Sequence, residues 1–475
     1  MRNVQTPVKN TSNSKRGPVV WILKSRIGHL IARPWLDRCI LAALEYVFFP
    51  LSRLWAASRA AEGTVDGFIE ATPLGPPGKW RRGIIERALH NFERKRLRAF
   101  STEQLWHLYY FGEEEVAAER LPIVEEMRLD NRTSYNLSRR SFIPLIPLVK
   151  TSVRMFPPTP EEVEEAYGSQ GERLEDLFAL PDVLPNIQVS RPLPTHYGKD
   201  FWLRFPSPSS RMNDEVYARV HEPHDVENPP TLIFGHGICV EFDHYRQLLD
   251  EITALTDMGV RVIRPEAPWH GRRVLPGHFG GEQLLSALPI SMIEFVAAQH
   301  REWATLINWC KSNSSGEVAI GGSSLGAQSA KAIAMRASNW PEHLQPSALL
   351  CVTHSAHIYE AALDGELSDI WNLGRAMSGQ GWHRDSERLW LKRLDPDGLP
   401  CMDGSRIISV TGSRDTITSE QSALEHMAQW QVPQENIFSY KRGHFTVPLG
   451  MLGDREPLER FAQILLSTPE TPCRN

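Results

Sequence analysis

Ser324, Asp415 and His444 lie far apart in this chain, yet their types and order suit attack on a carbonyl carbon. A serine hydroxyl is a weak nucleophile near neutrality. It needs an imidazole to take its proton and a carboxylate to hold that imidazole in one tautomer. Ser324 sits in Gly322-Ser323-Ser324-Leu325-Gly326, after the β-branched run Glu317-Val318-Ala319-Ile320 and before a helix slimmed by Ala327, Ala330, Ala332, Ala334 and Ala337. G-x-S-x-G in that setting reads as a nucleophile elbow, a sharp turn that lifts a serine above the end of a buried strand. Centring the motif on Ser323 leaves no glycine two places on, so Ser324 is the candidate nucleophile.

The partners should follow strands, because ligand chemistry in parallel α/β folds collects at the carboxyl ends of the strands. Asp415 ends Val410-Thr411-Gly412-Ser413-Arg414-Asp415, and His444 follows Tyr440-Lys441-Arg442-Gly443. Asp395, Asp397 and Asp403 lie in a turn-rich stretch and read as solvated turn carboxylates, while His426 reads as structural within an amphipathic helix. His354 and His357 follow the strand ending at Val352; they fall in the wrong order for the base, and His354 is expected to line the substrate pocket. Attack on a carbonyl creates an oxyanion that needs donors placed in advance. Leu325 N–H is one candidate, and the loop Gly235-His236-Gly237-Ile238 offers the other, with Ile238 chosen and Gly237 or Cys239 as alternatives. His236 is expected to brace that loop at the pocket edge, with Trp269 as a further pocket residue. Cys239 has no paired base, and His270, His278 and Glu266 lack the spacing of a metal site, so neither a thiol nucleophile nor a metal is expected.

These residues need strands and helices to converge. From about residue 185, short strands alternate with helices: Phe201–Phe205, Val216–Val220, Thr231–Phe234, Val260–Ile263, Ala348–Val352, Ile407–Val410 and Ile437–Tyr440, with a helix over Tyr245–Met258. That rhythm predicts a mainly parallel sheet covered on both faces. Residues 356–400, with Trp371, Met377, Trp382 and Trp390, read as an inserted helical lid whose tryptophans serve at least in part as its own core. Residues 35–184 read as mostly helical, with breaks at Pro50 and over residues 72–78 and an N-cap at Ser101-Thr102-Glu103-Gln104.

Composition sets the outer limits. The chain has 475 residues, 41% of them hydrophobic and 23% charged, with a net charge of −5. This is ordinary for a globular protein and argues against a nucleic-acid partner. Six scattered cysteines point to a reducing, cytoplasmic compartment. No uninterrupted apolar run long enough to cross a membrane is evident. Residues 1–34 form a basic arm: up to Leu36 the chain carries seven Lys/Arg and no Asp or Glu. Such an arm could make peripheral contact with an anionic membrane.

The HG loop, the elbow, the Asp415 turn and the Gly443-His444 pair resemble the α/β-hydrolase superfamily over roughly residues 200–465. Pro268-Trp269-His270-Gly271-Arg272-Arg273 and Ser338-Asn339-Trp340-Pro341 resemble a branch related to α/β-hydrolase domain-containing protein 18. Ser-Leu-Gly follows where the commoner pattern has Met-Gly-Gly after the nucleophile. The resemblance implies an α/β-hydrolase fold over 185–470, with an eight-stranded type of sheet, a lid and a helical N-terminal extension. It also implies hydrolysis of an ester, thioester or amide through an acyl-enzyme, without a cofactor. A carboxylic-ester hydrolase is the leading expectation. A membrane-associated lipid acyl hydrolase or acyltransferase, an amidase or peptidase, and a non-catalytic binding scaffold are the alternatives.

Overall fold

The computed structural model describes residues 32–72, 74, 78–168, 171, 173–240, 253–395 and 398–467. The basic arm up to residue 31, the stretch 245–252 of the expected Tyr245–Met258 helix, Asp397 and Cys473 lie outside them. The β-branched and aromatic runs form β1 (Gln188–Val189), β2 (Leu193–Pro194), β3 (Gly198–Pro206), β4 (Glu215–Pro223), β5 (Thr231–Gly235), β6 (Arg261–Pro265), β7 (Val318–Ser323), β8 (Leu349–Val352), β9 (Ile407–Gly412) and β10 (Ile437–Tyr440). They make one sheet in the order β1-β3-β4-β6-β5-β7-β8-β9-β10, with β2 also on β3. β3 and β4 pair antiparallel, as do β4 and β6, while β5 to β10 run parallel. This is the α/β-hydrolase fold.

Successive residues of the central strands serve opposite faces, the period-two rule of a pleated sheet. Ile233, Ile263 and Ile320 meet Trp303 and Ile307 of the helix Ile290–Asn313 and the alanines of the helix Leu325–Arg336. Leu232, Val262 and Ala319 turn the other way, onto Leu255, Leu458 and Phe461. Both faces are therefore apolar, so the strands read as continuous hydrophobic runs.

The N-terminal helices depart from expectation at two points. Pro50 does not break the chain: Pro34–Ala43, a π-turn over Leu44–Phe48 and Phe49–Ala60 run on as one helix. At the π-turn Phe49 N–H bonds Leu44 O, so the widened turn absorbs a residue that lacks a donor and crowds the preceding carbonyl. The united helix is long and apolar enough to span a membrane (27 residues, best-window mean hydropathy 1.4), but half of that window is buried against the body. Neither Ser101 nor Thr102 starts a helix. They lie inside Lys79–Phe111, where Thr102 Oγ1 donates to Arg98 O at 3.0 Å and the buried face continues through Phe92, Ala99 and Trp106.

Charge and aromatic contacts join these helices to the sheet. Arg53 donates to Glu282 at 2.7 Å in a buried pair. The Arg128 and Arg272 guanidiniums lie 5.0 and 5.1 Å from the Trp106 ring centroid and 5.5 and 4.9 Å from that of Trp202 on β3. Between β8 and β9, a π-turn (Glu360–Asp364) and the helices Glu366–Ile370, Leu373–Ser378 and Arg384–Lys392 bury Trp371, Met377, Trp382 and Trp390. This segment rests on the Asp415 loop through Glu366 N–H to Thr416 O.

One contact sets the site's geometry. A Cβ on Gly326 would fall 2.2 Å from Gly235 O, and one on Gly322 would fall 2.2 Å from the Gly326 carbonyl carbon. The ends of β5 and β7 and the start of the helix Leu325–Arg336 thus meet backbone to backbone. Gly326→Ala should lower stability by about 1–3 kcal/mol, as overpacking against rigid main chain does. A urea midpoint equal to wild type would contradict the close approach.

Candidate active site

At the turn from β7 into the helix Leu325–Arg336, Ser324 has φ +55° and ψ −118°, a region that L-residues rarely adopt. Its N–H is tied to Val352 O at the end of β8 (2.9 Å), and Gln328 N–H returns to Ser324 O (3.1 Å). Ser324 is half-buried there, at the carboxyl edge of the sheet.

The structure brings the other two expected residues to this hydroxyl. His444 Nε2 lies 3.0 Å from Ser324 Oγ, and His444 Nδ1 lies 2.8 Å from Asp415 Oδ2. Asp415 is itself fastened by a tight turn. Oδ1 accepts from Ile417 N–H (2.8 Å) and Thr418 N–H (2.9 Å), and Oδ2 accepts from Thr418 Oγ1 (2.7 Å). Burial pushes the carboxyl upward, but the His444 imidazole and the Thr418 donors outweigh it and hold it below the ordinary carboxylate range. An ionised Asp415 facing Nδ1 leaves Nε2 as the lone-pair nitrogen toward the serine. That is the tautomer a general base requires.

Beside the serine, the loop after β5 is braced by two histidines. A Cβ on Gly237 would lie 3.5 Å from Ser324 Cβ, so this loop borders Ser324. His236 Nδ1 donates to Gly237 O (2.7 Å), and its Nε2 accepts from Ala267 N–H (3.2 Å). His270 Nδ1 donates to Pro268 O (2.8 Å), and its Nε2 accepts from Cys239 N–H (3.1 Å). Cys239 N–H is therefore committed elsewhere. Among the described residues, no hydrogen bond engages the N–H of Ile238 or of Leu325. Burial, reinforced by neighbouring His270, lowers the His236 imidazole to about 3.

The expected pocket residues fare differently. His236 is 7% exposed and acts as a loop brace. His354 does not line an open pocket: it is 1% exposed, with Nε2 2.8 Å from Ser409 Oγ on β9, because the chain turns inward as it leaves β8. Trp269 is likewise buried, in the apolar cluster on which Ile238 and Leu325 pack. Asp395 is not solvated. It is 3% exposed, bonds His357 Nδ1 (2.8 Å) and accepts from Ile358 N–H (2.7 Å), so it folds the segment after β8. Sequence reasoning missed His270, which it weighed only as a metal ligand. The usable signal was its position just past β6, beside the β5 loop in the sheet order. A cleft of about 1190 Å³ is lined by Phe178, Met335, Arg336, Trp340 and Trp390. It lies at the far end of the elbow helix, about 17 Å of helix rise from Ser324.

No family model and no curated protein matches the chain. Among solved structures it is similar to acetyl xylan esterase 1 from Thermoanaerobacterium sp. JW/SL YS485 (15% identity, 63% of this chain and 96% of that one, TM-score 0.41). It is also similar to a cold-adapted esterase from an Arctic intertidal metagenomic library (14%, 58% and 97%, TM-score 0.38) and to Pyrococcus horikoshii acylaminoacyl peptidase (10%, 60% and 49%, TM-score 0.40). At these values the fold class stands on the strand order, and the chemistry on the side chains described above.

The buried imidazoles make a pH prediction. His236 and His300 are both lowered to about 3 by burial, so between that value and the free-imidazole value of 6.5 the unfolded chain binds protons that the folded one does not. Stability should therefore rise with pH across this window and fall as the solution is acidified from pH 6.5. Asp415, held low, adds to the loss only under more acidic conditions. Urea midpoints at pH 6.5, 5.5 and 4.5 should decline in that order; a flat series would contradict neutral, buried rings.

Proposed function

We propose that the protein is a serine hydrolase acting on carboxylic esters through an acyl-enzyme. The observation that carries this reading is the alignment of one imidazole between a strained serine at 3.0 Å and a buried carboxylate at 2.8 Å. Ser324 Oγ attacks the ester carbonyl as its proton passes to His444 Nε2, while Nδ1–H stays on Asp415. The N–H groups of Ile238 and Leu325 receive the oxyanion, each such donor being worth about 3–4 kcal/mol of barrier. Collapse expels the alcohol, which takes the proton from His444. A water activated by the same imidazole then releases the acid. Thioesters and amides would use the same groups. The finer likeness to α/β-hydrolase domain-containing protein 18 rests on two stretches whose side chains here brace the β5 loop and fill the core.

A fluorophosphonate probe should label wild type and leave Ser324→Ala unlabelled; equal labelling would remove Ser324 from the role. Asp415→Asn should keep the fold and lower turnover by roughly 10⁴-fold, because the imidazole then presents the wrong tautomer. Unchanged turnover would assign the acid elsewhere.

A second reading, lipid acyl hydrolysis at a membrane surface, is favoured by the outer face of the helix Pro34–Ala43 and the π-turn after it. Trp35, Tyr46 and Val47 are 54%, 64% and 47% exposed there, and the acid-free basic arm precedes them in sequence. Apolar side chains flanked by cations suit an anionic bilayer. The wild-type protein should sediment with phosphatidylserine vesicles at low salt, and a Trp35→Asp/Tyr46→Asp double variant should not. Equal sedimentation would argue against this face.

A further inference from the structure

We propose that Asp37, on the N-terminal helix Pro34–Ala43, is a positioning residue for His444; this rests on the reading of His444 as the general base. The turn Gly443–Thr446 carries the imidazole and leads into the helix Thr446–Met451, whose N-cap residue, Phe445, has no side chain able to accept a hydrogen bond. Asp37 supplies that acceptor from 408 residues away. Its Oδ1 receives Phe445 N–H at 2.8 Å and Thr446 N–H at 3.2 Å, and its Oδ2 receives the Thr446 hydroxyl at 2.5 Å. Thr446 Oγ1 in turn accepts Gly443 N–H at 2.9 Å. The amides on both sides of His444 are thus fastened, two by Asp37 directly and one through the threonine it orients. The contact is close and dry: Asp37 is 6% exposed, Thr446 is fully buried, and a Cβ on Gly443 would fall 2.4 Å from the Asp37 carboxyl carbon.

The same helix is anchored at two further points. Leu41 and Phe49 enter the apolar cluster of Ile417 and Trp371, two residues past Asp415 and in the segment between β8 and β9. Arg53 makes its buried pair with Glu282, whose carboxylate also accepts Arg154 N–H and Phe279 N–H. A region outside the sheet thereby sets the base that the sheet's own loops leave half-determined. An imidazole displaced by about 1 Å loses on the order of 10²-fold in rate, which makes such a latch consequential.

The test compares full-length variants well below their melting temperatures, using a soluble short-chain ester and the fluorophosphonate labelling rate. Asp37→Ala should lower kcat and the labelling rate about 10- to 100-fold with KM within twofold. Asp37→Asn, which keeps one acceptor for the two amides, should recover part of that loss. Leu54→Ala, fully buried on the same helix within the helical layer's own core, should lower the melting temperature at least as much and leave kcat unchanged. The proposal is overturned if Asp37→Ala retains wild-type kcat, or if kcat tracks melting temperature alike in the Asp37 and Leu54 variants. Should Asp37→Ala fail to fold, Asp37→Asn against Leu54→Ala decides by the same criterion. A Ser324→Ala protein that still turns over the ester would overturn the underlying reading itself, and with it the role given to Asp37.

Discussion

One imidazole has to reach two groups at once. His444 must stay within hydrogen-bond distance of a hydroxyl on the turn after β7 and of a carboxylate on the loop after β9, while itself sitting on the turn after β10. These are ends of separate strands, and loops are the least constrained parts of a fold. The order of the sheet supplies most of the answer, since β7, β8, β9 and β10 are consecutive neighbours and release their loops along one edge. The remainder is a matter of tenths of an ångström, and each loop settles it by a different device. The serine turn uses glycine contacts and a bond to Val352 O. The aspartate turn closes on its own carboxylate. The histidine turn is gripped by a helix from the other end of the chain.

The strain at Ser324 belongs to the same account. A positive φ on a side chain with a Cβ costs on the order of 1–3 kcal/mol and persists only where surroundings over-determine it. Here the glycine contacts leave the helix Leu325–Arg336 no other seat on β5. The hydroxyl is left at the strand ends, and Leu325 follows it as the first residue of the helix. The proposed nucleophile and the proposed oxyanion donor are neighbours in one turn. That is why a pentapeptide could announce both.

Local chemistry was legible in the sequence, and long-range assembly was not. The elbow, the strand-end turns at Asp415 and His444, and the alternation of strands and helices each follow from patterns within a few residues, and the structure brings Ser324, Asp415 and His444 together. Failures occurred where a local rule met a distant partner. Pro50 looks like a break until a π-turn absorbs it, and Ser101-Thr102 looks like a cap until the packing of Phe92, Ala99 and Trp106 carries the helix through. Asp395 looks like a turn carboxylate because nothing nearby announces that His357 will cover it. Asp37 is the extreme case, since no window of sequence relates a residue in the first described helix to a turn near the end of the chain.

Charges buried between the helical layer and the sheet bear on whether the two act as one unit. Arg53–Glu282 and the cluster of Arg128, Glu125, Glu103 and Arg272 are poor sources of net stability, because desolvation consumes most of their attraction. Their effect is asymmetric. With both partners present they cost little; with one removed, the other is stranded at about 3–5 kcal/mol. Separating the helices from the sheet would return the charges that cross the contact to water, but it would also expose Trp106, Trp202 and Phe49. Detachment is therefore opposed chiefly by the loss of this apolar burial and little by the ion pairs. The layer that carries Asp37 is held against the strand ends by those apolar contacts, and it belongs to the frame of the candidate site rather than to a separable appendage.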